Sequence, residues 1–258
     1  MTSASQKRQK KRLAPNSYRK RTYRALVESN GLVSSQVTVR ETDLQILAPR
    51  DVTTQAYDLV YHYRNQLENY IATHPAFLTS LAPLPADPLA PPIVKAMLKA
   101  GQVAAVGPMA AVAGAVAEFV GRDLLAGGLD EVMVENGGDI FLMRTRECVS
   151  AIFAGPSPLS QRVGLRIAAA DMPLGLCTSS GTVGHSLSLG TADAVTVLAA
   201  SASLADAVAT LVGNAVQDEQ TMGAALELAQ TIPGIMGVVI IKNEQLGAWG
   251  KVDLVKIA

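Results

Sequence analysis

Cysteine, histidine and aromatic residues are scarce in this chain, and each scarcity closes off a class of chemistry. The two cysteines, Cys148 and Cys177, form no CxxC and no metal-ligand spacing, so neither a thiol redox motif nor a zinc site is written here. Both are expected as reduced thiols, although the sequence alone leaves a disulfide between them open. Three histidines, His62, His74 and His185, leave few candidates for a catalytic triad. No run of eighteen uncharged apolar residues occurs. The nearest, residues 103–120, is broken by Gly107, Pro108, Gly114 and Glu118 and reads as a buried helix with its approach, not a membrane span. No apolar segment follows the basic N-terminus in the manner of a secretory signal, so the expected location is cytoplasmic.

What is present is a globular composition, with 49% hydrophobic and 17% charged residues over 258 positions. The net charge of zero hides a division. Nine of the 22 Lys and Arg fall in the first 24 residues, where there is no acid, and this leaves 13 bases against all 22 acids in the remainder. We therefore divide the chain into a basic tail, 1–24, and a body, 25–258. A nucleic-acid arm and a solvated terminus are both readings of the tail. The absence of a binding motif or an aromatic-basic platform favours the solvated terminus over nucleic acid.

Along the body, residues 36–47 alternate in polarity as a strand or hairpin does. Residues 51–71 carry apolar side chains at helical spacing, with Thr53 or Thr54 placed to cap the start. Residues 75–92 hold six of the thirteen prolines and read as an ordered connector wrapped on one compact body, although two closely packed subdomains fit as well. Pro92 opens a further helix. Residues 109–126 form a helix of small residues closed by Gly127 and Gly128. Its first-turn amides are placed to face an anion, although a tightly packed core helix accounts for it as well. Asn136-Gly137-Gly138-Asp139 between two β-rich runs is a hairpin turn. Strands follow at 149–153 and 163–168, then a helix near 219–230, a hairpin at 237–250 and a last strand near 252–257. Hairpins mixed with long helices indicate an α+β fold.

The chemistry concentrates in residues 177–214. A loop of small hydroxyl residues there runs into an apolar strand and then a helix. If Ser201 or Ser203 caps that helix, Leu204, Val208 and Leu211 face the core, while Asp206 and Thr210 share another face one turn apart. A carboxylate and a hydroxyl so placed are oxygen ligands of the kind Mg²⁺ accepts. An acid in the first turn of a helix also serves its dipole without any metal. Gly137 and Gly138 permit close backbone approach at a turn that presents Asp139 as an acceptor, or they simply make the turn. Thr178, Ser179, Ser180 and Thr182 offer hydroxyls, and Gly181 and Gly184 free amides to converge on phosphate. The loop is not a P-loop, for GxxxxGK[ST] is missing. Gly184-His185-Ser186-Leu187 begins like a lipase elbow, but Ser188 stands where its last glycine belongs and a strand follows, so a serine hydrolase is rejected.

The ordered set VENGGDIF, TSSG with a following His, ADAVTVLA and ADAVAT resembles the ApbE-like superfamily, and the whole chain is similar to a shorter branch of it. The likeness covers residues 105–215, through Gly114 and Glu118, then Gly137, Gly138 and Asp139, Thr178, Ser179 and Gly181, His185, and lastly Asp206 and Thr210. It implies mixed, largely antiparallel sheets packed with helices. It implies flavin transferase or pyrophosphatase type chemistry on FAD with Mg²⁺, and a protein acceptor. In family terms Asp206 and Thr210 hold the metal, residues 137–139 and 178–182 bind the anionic ligand, and His185 is the acid–base candidate. The chain departs from that pattern at Ala113, where the family has Lys, and after His185, where no Asp-Pro follows. A second reading from these departures is a non-catalytic binder of a flavin, nucleotide or other anionic metabolite.

Overall fold

In a computed structural model, residues 31–183 and 188–257 are described. The basic tail lies outside the described residues, as does His185 with its neighbours Gly184, Ser186 and Leu187.

The chain opens with the hairpin β1 (Val33–Val39) and β2 (Thr42–Ala48), turned at Arg40. Helix α1 (Thr53–Thr73) follows, and Ala56, Val60, Tyr63 and Leu67 line its buried stripe at the spacing read from the sequence. Its start is not capped by Thr53 or Thr54. Asp51 Oδ1 instead accepts from the Thr53 amide at 2.8 Å and from the Ser35 hydroxyl at 2.9 Å, so an acid ahead of the helix does the work. The proline-rich connector contains a short helix, α2 (Ala76–Thr79), and is tied to α1 and α3 further along. Tyr70 donates to Asp87 at 2.9 Å, and the Gln102 amide donates to the Leu84 carbonyl at 2.8 Å.

Helix α3 (Pro92–Val103) begins on its first-turn proline. A 3₁₀ turn, Pro108–Ala111, then leads into α4 (Val112–Ala126), shorter at its start than residues 109–126 suggested. Strands β3 (Val132–Asn136) and β4 (Asp139–Met143) pair through Gly137 and Gly138, whose φ angles of 71° and 110° explain why glycine stands at both. Next come β5 (Cys148–Ala151), β6 (Val163–Ile167), β7 (Leu174–Ser179) and β8 (Ala194–Ala199). Helices α5 (Ala202–Ala215) and α6 (Met222–Gln230) precede β9 (Ile235–Lys242), β10 (Gln245–Gly250) and β11 (Asp253–Lys256).

Every strand pairing is antiparallel. The large sheet runs β1-β2-β3-β4-β7-β8-β9-β10, and the small one runs β11-β6-β5. One face of the large sheet buries Val132, Val134, Phe141 and Cys177 under α1, α3, α4 and α5. The opposite face contributes Leu142, Leu174, Leu176 and Ile241 to a second core closed by Leu165 and Ile167 of the small sheet. This is an α+β fold of largely antiparallel sheets with helices layered on one side, as the mixture of hairpins and helices implied.

Both cysteines are free thiols. Among the described residues no single helix is long and apolar enough to cross a membrane; α3 with residues 108–126 is apolar enough only as a pair bent by 108°. That pair supplies Ile93, Val94, Ala115 and Val120 to the core beneath the helices.

Candidate functional site

The β3–β4 turn, the end of β7 and the first half of α5 come together beneath the helices, bringing Asp139 and Asp206 to one side of the large sheet. Strand pairing decides which of them share a face. Asn136 pairs with Asp139, and Asp139 pairs with Cys177, so all three side chains point toward the helices. Gly175, next on that face of β7, lies directly under α5. A Cβ there would meet the Ala202 Cα at 2.2 Å. Ser179 continues the row beneath Gly213, where an added Cβ would stand 3.5 Å from its hydroxyl.

Ser201 caps α5, its hydroxyl accepting from the Leu204 amide at 3.4 Å. The helix is buried on most sides, through Ala202, Ala205, Val208, Ala209 and Val212. Val208 faces the core as expected, and Leu204 and Leu211 pack against the same core half-buried. Asp206 and Thr210 are half-buried one turn apart on the same helix.

Asp206 reaches the start of α4, where the Gly114 amide donates to its Oδ2 at 2.9 Å. The first-turn amides that the sequence offered to a ligand anion are thus met by a carboxylate of the protein itself. Burial pushes the Asp206 carboxyl up to about 7, against the opposing pull of the Gly114 and Ala113 amides. Asp139 is raised well above the usual carboxylate range, first by burial and then by the charge of Asp206, with Glu135 adding to it. Cys177, whose thiol donates to the Ala202 carbonyl at 3.3 Å, is raised by burial and by both carboxylates. The charge of Asp206 thus opposes the ionisation of Asp139, and Asn136 ties the β3–β4 turn to the start of α4 by donating to the Ala113 carbonyl at 3.1 Å.

The hydroxyl segment does not converge as one cradle. Thr178 and Ser179 belong to β7, so strand alternation sends them to opposite faces. Thr178 meets Thr196, their hydroxyls 2.9 Å apart on the side of the small sheet. Ser180 accepts from the Thr182 and Val183 amides at 3.1 and 3.0 Å, and Thr182 donates to Asp193 at 3.1 Å. Gly181 donates its amide to the Ala192 carbonyl at 2.8 Å. Gly138 and Thr178 still adjoin, for a Cβ on Gly138 would lie 3.7 Å from the Thr178 carbonyl oxygen.

Two residues to which the sequence assigned no role organise this end. Asp193, buried just before β8, also accepts from the Asn243 amide at 2.7 Å and so joins the hydroxyl loop to the β9–β10 turn. Its own position within ADAV carried no signal separating it from a solvent-facing acid. Glu118, buried in α4, accepts from Ser201 Oγ, Ser203 N and Ser203 Oγ at 2.9, 3.1 and 3.1 Å. Its spacing from Gly114 was visible in the sequence, but its partner helix was not.

Among the described residues no three His, Cys, Asp or Glu side chains converge as a metal cage. The donor set nevertheless suits a hard cation. Two oxygen acids resist ionising together, and a divalent ion would remove that resistance, with water and ligand oxygens filling its shell.

The shift at Asp206 has a consequence for pH. Its folded value lies above the unfolded one, so the folded state binds the extra proton. The stabilisation from this group is full below the unfolded value near 3.8 and is lost as pH rises through about 7. Urea titrations of the metal-free protein between pH 4 and 7 are expected to show that decline, and the Asp206→Asn variant is expected to flatten it. Equal slopes in the two proteins would contradict the shift.

A family model described as "AbpE bacteria" matches residues 24–233. The chain belongs to this family. Its relatives include UPF0280 proteins of Methanococcus aeolicus, 41% identical over 86% of this chain and 91% of the relative, and of Methanocaldococcus jannaschii, 39% identical over 86% and 92%. The fold matches that of solved ApbE structures. The flavin transferase ApbE of Vibrio cholerae superposes with a TM-score of 0.54 at 14% identity, covering 84% of this chain and 96% of that one. The apo flavinyl transferase ApbE of Pseudomonas stutzeri gives 0.53 at 12% identity, over 85% and 94%. At these identities the likeness to solved structures is one of fold.

Proposed function

We infer that this AbpE-family protein is a Mg²⁺-dependent enzyme acting on FAD or a related phosphate-bearing ligand, by flavin transferase or pyrophosphatase type chemistry. The observation that carries this reading is the Asp206 carboxylate seated on the Gly114 amide at the α4 N-terminus, with Asp139 on the sheet face that these helices cover. Asp206 and Thr210 would hold the ion. A bound Mg²⁺ supplies neutralisation of phosphate charge and polarisation of phosphorus. Gly137 and Gly138 keep the turn low enough for a ligand to approach, and Asp139 offers an acceptor to its ribose or ring. The end of β7 and the loop through Thr182 form the wall on the phosphate side. His185, which falls outside the described residues, is the candidate to move the proton. A protein acceptor belongs to this reading, as does a cytoplasmic location; nucleic acid and membrane do not.

The test is incubation of purified protein with FAD or another dinucleotide, with and without Mg²⁺ and with a protein acceptor present, followed by chromatography for AMP and for FMN both free and protein-bound. Mg²⁺-dependent cleavage is expected. Absence of any cleavage by folded wild-type protein sinks the enzymatic reading. One observation favours a second reading, a binder without turnover: the Ser180 and Thr182 hydroxyls are engaged within the fold and not held out to a phosphate. That reading expects ligand to co-purify, with a flavin band near ~450 nm when the ligand is a flavin, and no cleavage on adding Mg²⁺.

A further inference from the structure

Helices α4 and α5 cap each other. The first amides of a helix have no partner within it, and each helix here finds that partner on the other. At the start of α4 the Gly114 amide donates to Asp206 Oδ2 at 2.9 Å. At the start of α5 the Ser203 amide donates to Glu118 Oε2 at 3.1 Å, joined there by the Ser203 and Ser201 hydroxyls. Glu118 lies one turn beyond Gly114 on α4, and Asp206 lies one turn beyond Ser203 on α5, so the two bonds close a ring across the interface. The other oxygen of Glu118 is paired with Arg122, Nε at 3.0 Å and Nη2 at 2.9 Å, which holds the carboxylate in place from its own helix. Gly114 completes the arrangement, for a Cβ there would stand 2.3 Å from the Ala202 carbonyl oxygen. With the backbones in contact at that point and a hydrogen bond on either side, α5 cannot turn about its axis without breaking one of them.

We propose that Glu118 is the positioning residue of the site, fixing through Ser201 and Ser203 the rotation of α5 and with it the direction in which Asp206 and Thr210 face the ligand. The consequence for metal binding rests on the reading of Asp206 and Thr210 given above. The coupling between the two helices does not. Glu118 touches neither ligand nor metal in this scheme; it acts as outer groups act on metal ligands, by holding them in the orientation that binds. A residue that merely stabilised the interface would loosen both helices together when replaced.

The experiment compares wild type, Glu118→Gln and the milder Ser203→Ala by amide hydrogen exchange and by Mn²⁺ titration followed by electron paramagnetic resonance. Glu118→Gln keeps the shape but turns one acceptor into a donor. Exchange at Gly114, one turn away, is expected to quicken about tenfold while Leu124 on the same helix keeps its protection. Mn²⁺ affinity is expected to fall by about ten- to a hundredfold, as for other outer-shell replacements. Ser203→Ala should move both readouts the same way by less, and it serves if Glu118→Gln does not fold. Unchanged exchange at Gly114 in both variants overturns the proposal, and so does equal acceleration at Gly114 and Leu124. Wild-type Mn²⁺ affinity in a variant with a loosened Gly114 overturns the role in the site. A wild type that binds no Mn²⁺ overturns the metal reading, while a selective response at Gly114 still supports the coupling.

Discussion

Asp206→Ala is expected to lower Mg²⁺-dependent turnover of FAD on the order of a thousandfold, about 4 kcal/mol of lost transition-state stabilisation if the carboxylate anchors the ion. The alanine variant alone is ambiguous, because it also removes the acceptor from the Gly114 amide. Loss of a helix cap costs about 1 kcal/mol of stability, so part of its effect is structural. Asp206→Asn separates the two contributions. Asparagine keeps the volume and an oxygen for Gly114 but brings no charge, so the protein should fold as wild type and still fail to respond to Mg²⁺. Steady-state rates over a Mg²⁺ series measure this directly. An asparagine variant with the wild-type Mg²⁺ response would reduce Asp206 to a cap and remove it from the metal site.

The second large effect is expected from Gly190→Ala. A Cβ at Gly190 would lie 1.8 Å from the Gly213 carbonyl oxygen and 2.9 Å from that of Val216, both backbone atoms at the C-terminal end of α5. Gly181 is pressed in turn against Gly190, with an added Cβ 2.3 Å from its carbonyl oxygen. The chain entering and leaving the hydroxyl loop is thus stacked on the helix with no side chains between. Since neither backbone can retreat, alanine is expected to cost about 3 kcal/mol, the upper part of the range for overpacking. The change should also raise the KM for FAD, because the loop wall shifts with its base. Denaturant unfolding and steady-state kinetics check the two claims separately. Stability within ~0.5 kcal/mol of wild type would place the substitution among neutral surface changes and contradict the close approach.

How far the sequence could be read depended on the range of the interaction involved. The Asn136–Asp139 turn and the Ser201 cap were legible because each is decided by a few neighbouring residues. The α+β class followed from the same local signals taken in order. Strand β7 was missed: Thr178 and Ser179 read as loop because hydroxyl residues often are, whereas pairing with β4 and β8 holds them extended. That pairing alone determines that Ser179 faces α5 while Thr178 faces the small sheet. The partners of Glu118 and Asp193 lie 83 and 50 positions away in sequence, and no local pattern announces such a contact. Leu204 and Leu211 do pack against the core, at its margin, while the fully buried positions of α5 are mostly Ala and Gly, whose role hydrophobicity alone does not announce. Local chemistry singled out Asp206 with Thr210 and, separately, Asp139; only tertiary structure puts Asp206 and Asp139 on one side of the sheet.

The pairing of the small sheet bears on how the chain assembles as it is made. Strands β5 and β6 follow β4, but β6 has its second partner only in β11, which comes after β7 to β10 and helices α5 and α6. A chain growing from its N-terminus would hold one edge of β6 unpaired, with Leu165 and Ile167 beneath it, until β11 is made. The helices and strands that carry the site, from α4 to α5, would by then have been available to one another for some time. The edge of β6 that β11 covers is where a chain stalled before β11 would be open to pairing with another.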